Sequence, residues 1–311
     1  MRHLRDVSDP FNLPEQKFRD LYRLSREAAR HIFLEIVDYM QAPQRRNGTS
    51  SVIKYFIALH FFAHGSSQKS VGKDRHVSMS QPNVSRSLHA TVDAMLDVLC
   101  QRYIKFPTTL QEITTVKQGF FEVFHLPGVL GCIDCTHIEI FPPPYAHPTH
   151  PAQVFINRKH RHSINCQIIC DSELNITAIN ARYPGSTHDA AIWMMSNVKV
   201  QLMRRYRNGD NNSFLLGDSG YPLEPFLMTP IVGAPPNTPE YRYTQTHGRI
   251  RNCIERVNGT LKASFRCLRK EMHYDPSFAA KIIYACAILH NVKRMWNVID
   301  NEEVENDDGI H

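Results

Sequence analysis

The stretch Val129-Leu-Gly-Cys-Ile-Asp-Cys-Thr-His-Ile-Glu-Ile140 decides the fold. Its alternating pattern and its β-branched residues are typical of a β-strand. Two similar runs follow, from Ser163 to Cys170 and from Ile176 to Ala181. The residues between them, Asp171 to Asn175, are turn formers. The middle of the chain is therefore predicted to form a sheet.

The elements after the third strand indicate how this sheet is arranged. A helix is predicted to begin at His188, a polar loop to cover Arg204 to Asn212, and a fourth strand to cover Phe214 to Gly217. Three antiparallel strands, followed by a helix and a strand beside the first, is the order of an RNase H-like fold. The predicted fold class is α/β with an RNase H-like mixed sheet.

Three acidic residues are placed where this fold builds its site: Asp134 in the first strand, Asp218 after the fourth and Glu255 in a later helix. An acidic side chain at the end of an apolar strand is normally excluded unless a cation or hydrogen bonds offset its desolvation. Carboxylate oxygens suit Mg²⁺ or Mn²⁺ better than zinc. A pair of such ions can activate water and stabilise the leaving oxygen of a phosphodiester. The acids therefore predict metal-dependent cleavage of nucleic acid.

The segment from Tyr241 to Lys270, which holds Glu255, is strongly basic. An apolar stripe along it predicts a helix with one buried face. A second stripe contains Arg251, Glu255, Asn258 and Lys262, so DNA-compatible cations flank the third acid. The alternative is that Arg251 and Glu255 form a surface ion pair worth a few tenths of a kcal/mol.

Residues 15–100 are predicted to form an all-helical N-terminal domain, because apolar residues recur at helical spacing. The segment around Ser80, followed by Pro82, resembles a helix-turn-helix with a serine cap. Its candidate recognition residues are Gln81, Asn83, Ser85, Arg86 and His89. The alternative is a helical support domain whose polar face meets water.

Composition sets the outer limits. The chain has 311 residues, which favours more than one domain, and a net charge of +6 that includes an acidic C-terminal tail. Removing that tail leaves a more basic body, which suits a polyanionic partner. The predicted domains are a helical domain over 1–125, the nuclease-like domain over 126–297 and an acidic disordered tail over 298–311.

Neither secretion nor a membrane span is expected. The start, Met1 to Asp6, lacks an apolar signal segment, and the apolar runs are too short to cross a bilayer, so we expect an intracellular protein. Its eight cysteines are then interpreted as thiols. Cys132 and Cys135, with two later cysteines, leave a zinc site open. Residues three apart on a strand face opposite ways, however, so buried thiols are favoured.

Eight short motifs occur in the order found in the transposases of PIF/Harbinger elements. The chain resembles these transposases and the nucleases derived from them. The motifs are Gly131 to His137, Asn157 to Asn165, Pro184 to Asp189, Leu216 to Pro222, Met228 to Pro230, Glu240 to Tyr243, Ile254 to Arg256 and Ile288 to Asn291. One departure is Asn258, where many relatives carry an aromatic residue. We expect it to affect packing more than the acids.

The resemblance implies a DDE nuclease core with Asp134, Asp218 and Glu255 as the catalytic, metal-binding set and with Mg²⁺ or Mn²⁺ as the cofactor. It also implies a DNA substrate, and strand transfer if the DNA ends of an element are cut. Asp189 is expected either to ligate or orient a metal or to cap a helix. The candidate DNA-binding residues are Arg158, Lys159, His162, Arg251, Lys262, Arg266, Gln81, Asn83 and Arg86.

Partners and alternatives follow from the same resemblance. It implies a Myb-like DNA-binding partner, allows a homo-oligomer and indicates the nucleus. The basic cluster from Arg158 to His162 begins a strand, so import is expected to depend on that partner. One alternative is a zinc-dependent hydrolase using His137, His188 and Asp189. The other is a domesticated DNA-binding or scaffold protein without useful cleavage.

Overall fold

The computed structural model describes residues 9–40, 48–65, 80–146 and 149–298. The chain divides into two compact units. The first contains Met1–Tyr103, Glu139–Phe141 and Thr260–His311, and the second contains Ile104–Ile138 and Pro142–Gly259. Both units are discontinuous in sequence, whereas the domain limits predicted at 125 and 297 are contiguous. Those limits stay a prediction, and residues 299–311 of the predicted tail lie outside the described residues.

A five-stranded mixed sheet organises the second unit. Its strands are β1 Val129–Glu139, β2 Ser163–Cys170, β3 Ile176–Pro184, β4 Phe214–Leu216 and β5 Leu227–Met228. The order across the sheet is β3-β2-β1-β4-β5. β2 and β3 are antiparallel, whereas β4 runs parallel to both β1 and β5. The mixed sheet with a fourth strand beside the first is confirmed, and it is consistent with a DDE nuclease fold.

Helices form most of the first unit. In the second unit, helices pack against the sheet. Within the described residues they are α1 Glu15–Tyr22, α2 Arg26–Ile36, α3 Ser51–His64, α4 Gln81–Tyr103, α5 Leu110–Phe124, α6 Asp189–Met194, α7 Asn197–Arg207, α8 Pro239–Ser264 and α9 Pro276–Met295. None of the described helices is long and apolar enough to cross a membrane.

Successive residues of β1 point to opposite faces of the sheet, and this alternation separates core from site. Ile133 belongs to the buried cluster that includes Trp193 of α6 and Leu202 of α7. Cys132 instead donates a hydrogen bond to the carbonyl of Ile250 in α8. Asp134, two residues after Cys132, therefore lies on the α8 side of the sheet.

The polar loop predicted over Arg204 to Asn212 is wrong in its first part, because α7 continues to Arg207. Ser196 caps this helix by accepting a hydrogen bond from the Val198 amide. Val198 and Leu202 are buried at helical spacing, so packing holds the segment although its other face is basic.

The apolar residues that recur at helical spacing before residue 40 form two helices, α1 and α2, instead of one. The break after α1 arises because Arg23 adopts φ 61° and Ser25 caps α2. At the other end of the chain, α8 stops at Ser264, so Arg266 lies in a separate 3₁₀ turn, Arg266–Leu268.

The predicted helix-turn-helix falls only partly on described residues. α3 ends at His64, where Gly65 caps it, and α4 begins at Gln81 with Pro82 in second position. Residues 66–79, which include most of the predicted turn, lie outside the described residues. The motif therefore stays a prediction.

Candidate metal and nucleic-acid site

The carboxylate of Asp134 is held from α8. Its Oδ2 accepts a hydrogen bond from Asn258 Nδ2 at 3.3 Å, and its Oδ1 lies 3.8 Å from Arg251 Nη2. Burial, with the nearby carboxylates of Asp218 and Asp189, raises the pKa of Asp134 to about 6 against the opposing charge of Arg251. The charged form of Asp134 is therefore disfavoured in the fold, and a bound cation would stabilise it.

The register between β1 and β4 places Asp218 beside Asp134. Cys132 of β1 pairs with Leu216 of the parallel strand β4. Asp134 and Asp218 each follow these paired residues by two positions, so Asp134, inside β1, lies beside Asp218, just past the end of β4. Asp218 Oδ1 also accepts a hydrogen bond from the Gly220 amide at 2.9 Å, which fixes the turn after β4.

Glu255 projects from α8, and its side chain is 54% exposed. Arg251, one turn earlier, places Nη1 3.0 Å from Glu255 Oε1. The i,i+4 ion pair is therefore present, but the same guanidinium also faces Asp134 and is only 20% exposed. Arg251 is thus engaged with two of the three acids, and its predicted contact with DNA stays a prediction.

The donor chemistry of this site suits a hard divalent cation. Among the described residues, no three His, Cys, Asp or Glu side chains are grouped closely enough to hold a metal ion. The positive charge between Asp134 and Glu255 is instead that of Arg251. Beside Asp134, the buried amide oxygen of Asn258 has no hydrogen-bond partner within the described part of the chain. Carboxylate and amide oxygens are the ligands that Mg²⁺ and Mn²⁺ accept.

Asp189 is placed by β2 rather than by capping its own helix. Asn165 Nδ2 donates to Asp189 Oδ1 at 2.8 Å and also to the carbonyl of Thr187 at 2.8 Å. The charge of Asp189 reaches Asp134, Cys135 and Tyr221, whose pKa values it helps to raise. Asp189 therefore lies near the candidate site, and metal ligation by it stays a prediction.

One face of β2 carries polar residues whose contacts were not predicted from the sequence. Ser163 Oγ hydrogen-bonds with His137 Nδ1 at 3.0 Å, Asn165 holds Asp189, and Gln167 Nε2 lies 4.0 Å from Cys135 Sγ. All three alternate residues are buried. The alternating pattern showed that one face of this strand is polar, but not that the face is buried, because a half-exposed strand has the same pattern.

The two zinc alternatives gain no support from the geometry. Cys132 faces α8, whereas Cys135 packs against the core on the other face and contacts the Tyr221 hydroxyl at 3.3 Å. Burial raises the pKa of both thiols, which disfavours the thiolates that zinc requires. His137 is bonded to Ser163, and His188 is exposed at the start of α6.

A tight basic turn precedes β2. Asn157 Oδ1 accepts from the amides of Lys159 and Arg161 at 2.8 Å and 3.2 Å, and Asn157 Nδ2 donates to Ser163 Oγ at 3.0 Å. The turn, hereafter the basic turn of residues 157–162, closes through the Ile156 and His162 pair. Arg158 and Lys159 are exposed at its tip, whereas His162 is half-buried.

The remaining DNA-binding candidates are on other elements. Lys262 lies in the last turn of α8, Arg266 follows it in the 3₁₀ turn, and both are half-buried. In α4, Gln81 and Arg86 are exposed, and Arg86 Nη2 donates to Asn83 Oδ1 at 2.6 Å. Their contact with DNA stays a prediction.

Asp134→Asn should stabilise the metal-free protein at neutral pH. A folded pKa of about 6, against an ordinary value of 3.8, means that the fold loses stability as pH rises between these values. The asparagine form avoids that loss, so its advantage should be absent below pH 4 and reach up to about 3 kcal/mol above pH 6. Urea unfolding in EDTA across this range measures it.

The exposed Asp97, changed to Asn, is the control for this prediction and should show no such pH dependence. An Asp134→Asn protein that is less stable than the parent at pH 7.5 would contradict it.

Comparison with known proteins places these motifs in a family. The model of the DDE superfamily endonucleases matches residues 133–291, which include all three acids. A Homo sapiens protein named "Putative nuclease HARBI1" is 33% identical over 253 residues, covering 80% of this chain and 69% of its own. An Arabidopsis thaliana protein named "Protein ALP1-like" is 26% identical over 308 residues, covering 94% of this chain and 72% of its own. No solved structure is significantly similar to the chain.

Proposed function

Because this chain belongs to the DDE superfamily endonucleases, and within them to the nucleases derived from Harbinger transposases, we propose that it is a divalent-metal-dependent DNA endonuclease. The observation that carries the proposal is the register of two parallel strands. It sets Asp134 and Asp218 two residues beyond the same paired position. A half-buried acid with a raised pKa at that position supports a cation-binding role.

In the proposed mechanism, Asp134 and Asp218 hold the divalent ions and Glu255 completes the site from α8. When bound, a pair of Mg²⁺ or Mn²⁺ ions would supply Lewis-acid chemistry to the attacking water oxygen and the leaving oxygen of a phosphodiester. Without the ions, Arg251 balances the charge of Asp134 and Glu255. With that acidic charge balanced by a bound cation, the guanidinium of Arg251 would be free to face the phosphates of DNA. Arg251 could then serve both as the partner of the acids and as a DNA contact.

The basic turn of residues 157–162 is proposed to bind the DNA backbone. Its backbone is fixed by Asn157, and Asn157 is linked through Ser163 to His137 of β1, three residues after Asp134. A rigid turn loses little conformational entropy when its cations meet phosphates. These contacts support a preorganised grip on phosphates at the start of β2.

Lys159→Ala should weaken DNA binding and flatten its salt dependence. Each lost phosphate contact lowers the slope of log affinity against log salt by about one unit. Fluorescence anisotropy with a duplex at several salt concentrations measures the slope. Arg204, an exposed cation in α7 and outside the basic turn, is the control and should leave the slope unchanged when replaced by Ala. Equal slopes for Lys159→Ala and the parent would contradict the role of the turn.

The proposed function is tested by plasmid cleavage with the purified chain. Cleavage with Mg²⁺ or Mn²⁺, but not with Zn²⁺, supports it. DNA binding without cleavage in any of these metals would favour the scaffold alternative, and dependence on Zn²⁺ would favour the zinc hydrolase. The scaffold alternative draws on one relative, an Arabidopsis thaliana protein named as an antagonist of like heterochromatin protein 1, which is 26% identical over 248 residues.

We further propose that the chain acts in the nucleus and enters it with a Myb-like DNA-binding partner. The basic cluster from Arg158 to His162 is built into the turn before β2, where its backbone is held by Asn157. Nuclear import receptors require an extended basic segment, so this cluster is poorly presented. Imaging of a tagged chain tests the proposal, which predicts nuclear accumulation only when the partner is co-expressed.

A further inference from the structure

Asn258 is unusual among the site residues because one half of its amide is bonded and the other is not. Its Nδ2 donates to Asp134 Oδ2 at 3.3 Å. Its Oδ1 is buried and has no hydrogen-bond partner among the described residues. The expectation that Asn258 affects packing more than the acids is therefore wrong, since its side chain contacts the first acid directly.

The orientation of this amide follows from charge. Turning it by half a rotation would set Oδ1 against a carboxylate oxygen of Asp134 and lose the only hydrogen bond that the side chain makes here. Nδ2 therefore faces Asp134, and the oxygen points away from that carboxylate into a position buried from solvent. Buried Ile254 and Val257 fix this part of α8 against the sheet, so the side chain has little freedom to move away.

A buried amide oxygen without a donor costs free energy, and native structures normally satisfy such an atom. A hydrogen-bonded water or a bound cation would do so. The cation is favoured here because Oδ1 lies on a residue that already touches a carboxylate and stands one turn beyond Glu255 on the same helix. Amide oxygens coordinate hard divalent cations alongside carboxylates.

We infer that Asn258 is a fourth residue of the metal site, with Nδ2 positioning Asp134 and Oδ1 giving a neutral oxygen ligand to the divalent ion, either directly or through a water. This inference rests on the proposed function and adds to it a ligand that the D-D-E set lacks. A neutral ligand strengthens coordination without adding to the repulsion among the acids.

The test measures Mn²⁺ binding to the full chain without DNA, by electron paramagnetic resonance of the free ion, and thermal melting in EDTA and in Mn²⁺. Asn258→Leu keeps the branched shape of the side chain but removes both its oxygen and its amide donor, and should weaken Mn²⁺ binding roughly tenfold or more. Asn258→Asp restores an oxygen but repels Asp134. It should lower the melting temperature in EDTA and regain it in Mn²⁺.

Asn252→Leu, an exposed change on the same helix, is the matched control and should bind Mn²⁺ as the parent does. Parental Mn²⁺ affinity in Asn258→Leu would overturn the inference while leaving the proposed function standing, provided that Asp134→Asn abolishes binding. A parent chain that binds no Mn²⁺ would overturn both. The opposite effects expected of the Asp form in EDTA and in Mn²⁺ would place position 258 next to the bound ion.

Discussion

Asp134→Asn and Glu255→Gln are each expected to reduce Mg²⁺- or Mn²⁺-dependent DNA cleavage by roughly a thousandfold or more. Each change removes a ligand charge while keeping the shape of the side chain. Loss of several kcal/mol of metal-assisted stabilisation of the transition state corresponds to this factor. A nicking assay on supercoiled plasmid measures the rate.

The two variants separate loss of chemistry from loss of fold. Asp134→Asn should melt at a higher temperature than the parent in EDTA, because the buried charge is gone. Glu255 is half-exposed, so Glu255→Gln should melt within a few degrees of the parent. The exposed Glu173→Gln is a control with full activity. Cleavage by Asp134→Asn within a few-fold of the parent would mean that the acid is not a metal ligand.

The sheet was predictable because its long strands carry local patterns. β2 was predicted with its observed limits, since alternating residues followed by the turn formers from Asp171 are sufficient evidence of a strand. β5 was missed because two residues are too few to show a period. The loop predicted at Arg204 was wrong because the basic residues lie on the exposed face of a helix, whose buried face is marked by the spacing of Val198 and Leu202.

The site was predictable in its acids but not in the residues that hold them. Asp134 and Asp218 are conspicuous because each interrupts an apolar context. The bond from Asn258 to Asp134 joins residues 124 positions apart, and no local pattern contains it. Arg251 was expected to face DNA from a solvated stripe, but the tertiary position of α8 turns it onto two acids. Such contacts depend on packing, which local sequence patterns do not specify.

The packing of the C-terminal helix α9 determines what a deletion of the N-terminal helices would do to the first unit. α9 is buried on nearly all sides, and it packs against α4. Asn291 of α9 also donates to the carbonyl of Tyr103 at the end of α4, at 2.6 Å. The C-terminal helix therefore depends on the N-terminal helices for its core, within one compact unit.

Deletion of residues 1–100 is therefore expected to prevent folding of the first unit instead of removing DNA preference alone. Exposing even four side chains such as Ile282, Ile288, Leu289 and Val292 costs about 8 kcal/mol at roughly 2 kcal/mol each, which is comparable to the total stability of a domain. Size-exclusion chromatography and urea unfolding should show aggregation or a lost transition.

Arg86→Ala is the proper probe of recognition by α4. Arg86 is exposed, so its removal should change stability by no more than about 0.5 kcal/mol. A shift in DNA sequence preference without a shift in melting would then assign α4 a recognition role. A soluble truncated chain lacking residues 1–100, with a cooperative transition near that of the parent, would show that α9 finds its core without α4. Residues 1–100 would then be dispensable for folding of the remaining chain, which the burial of α9 argues against.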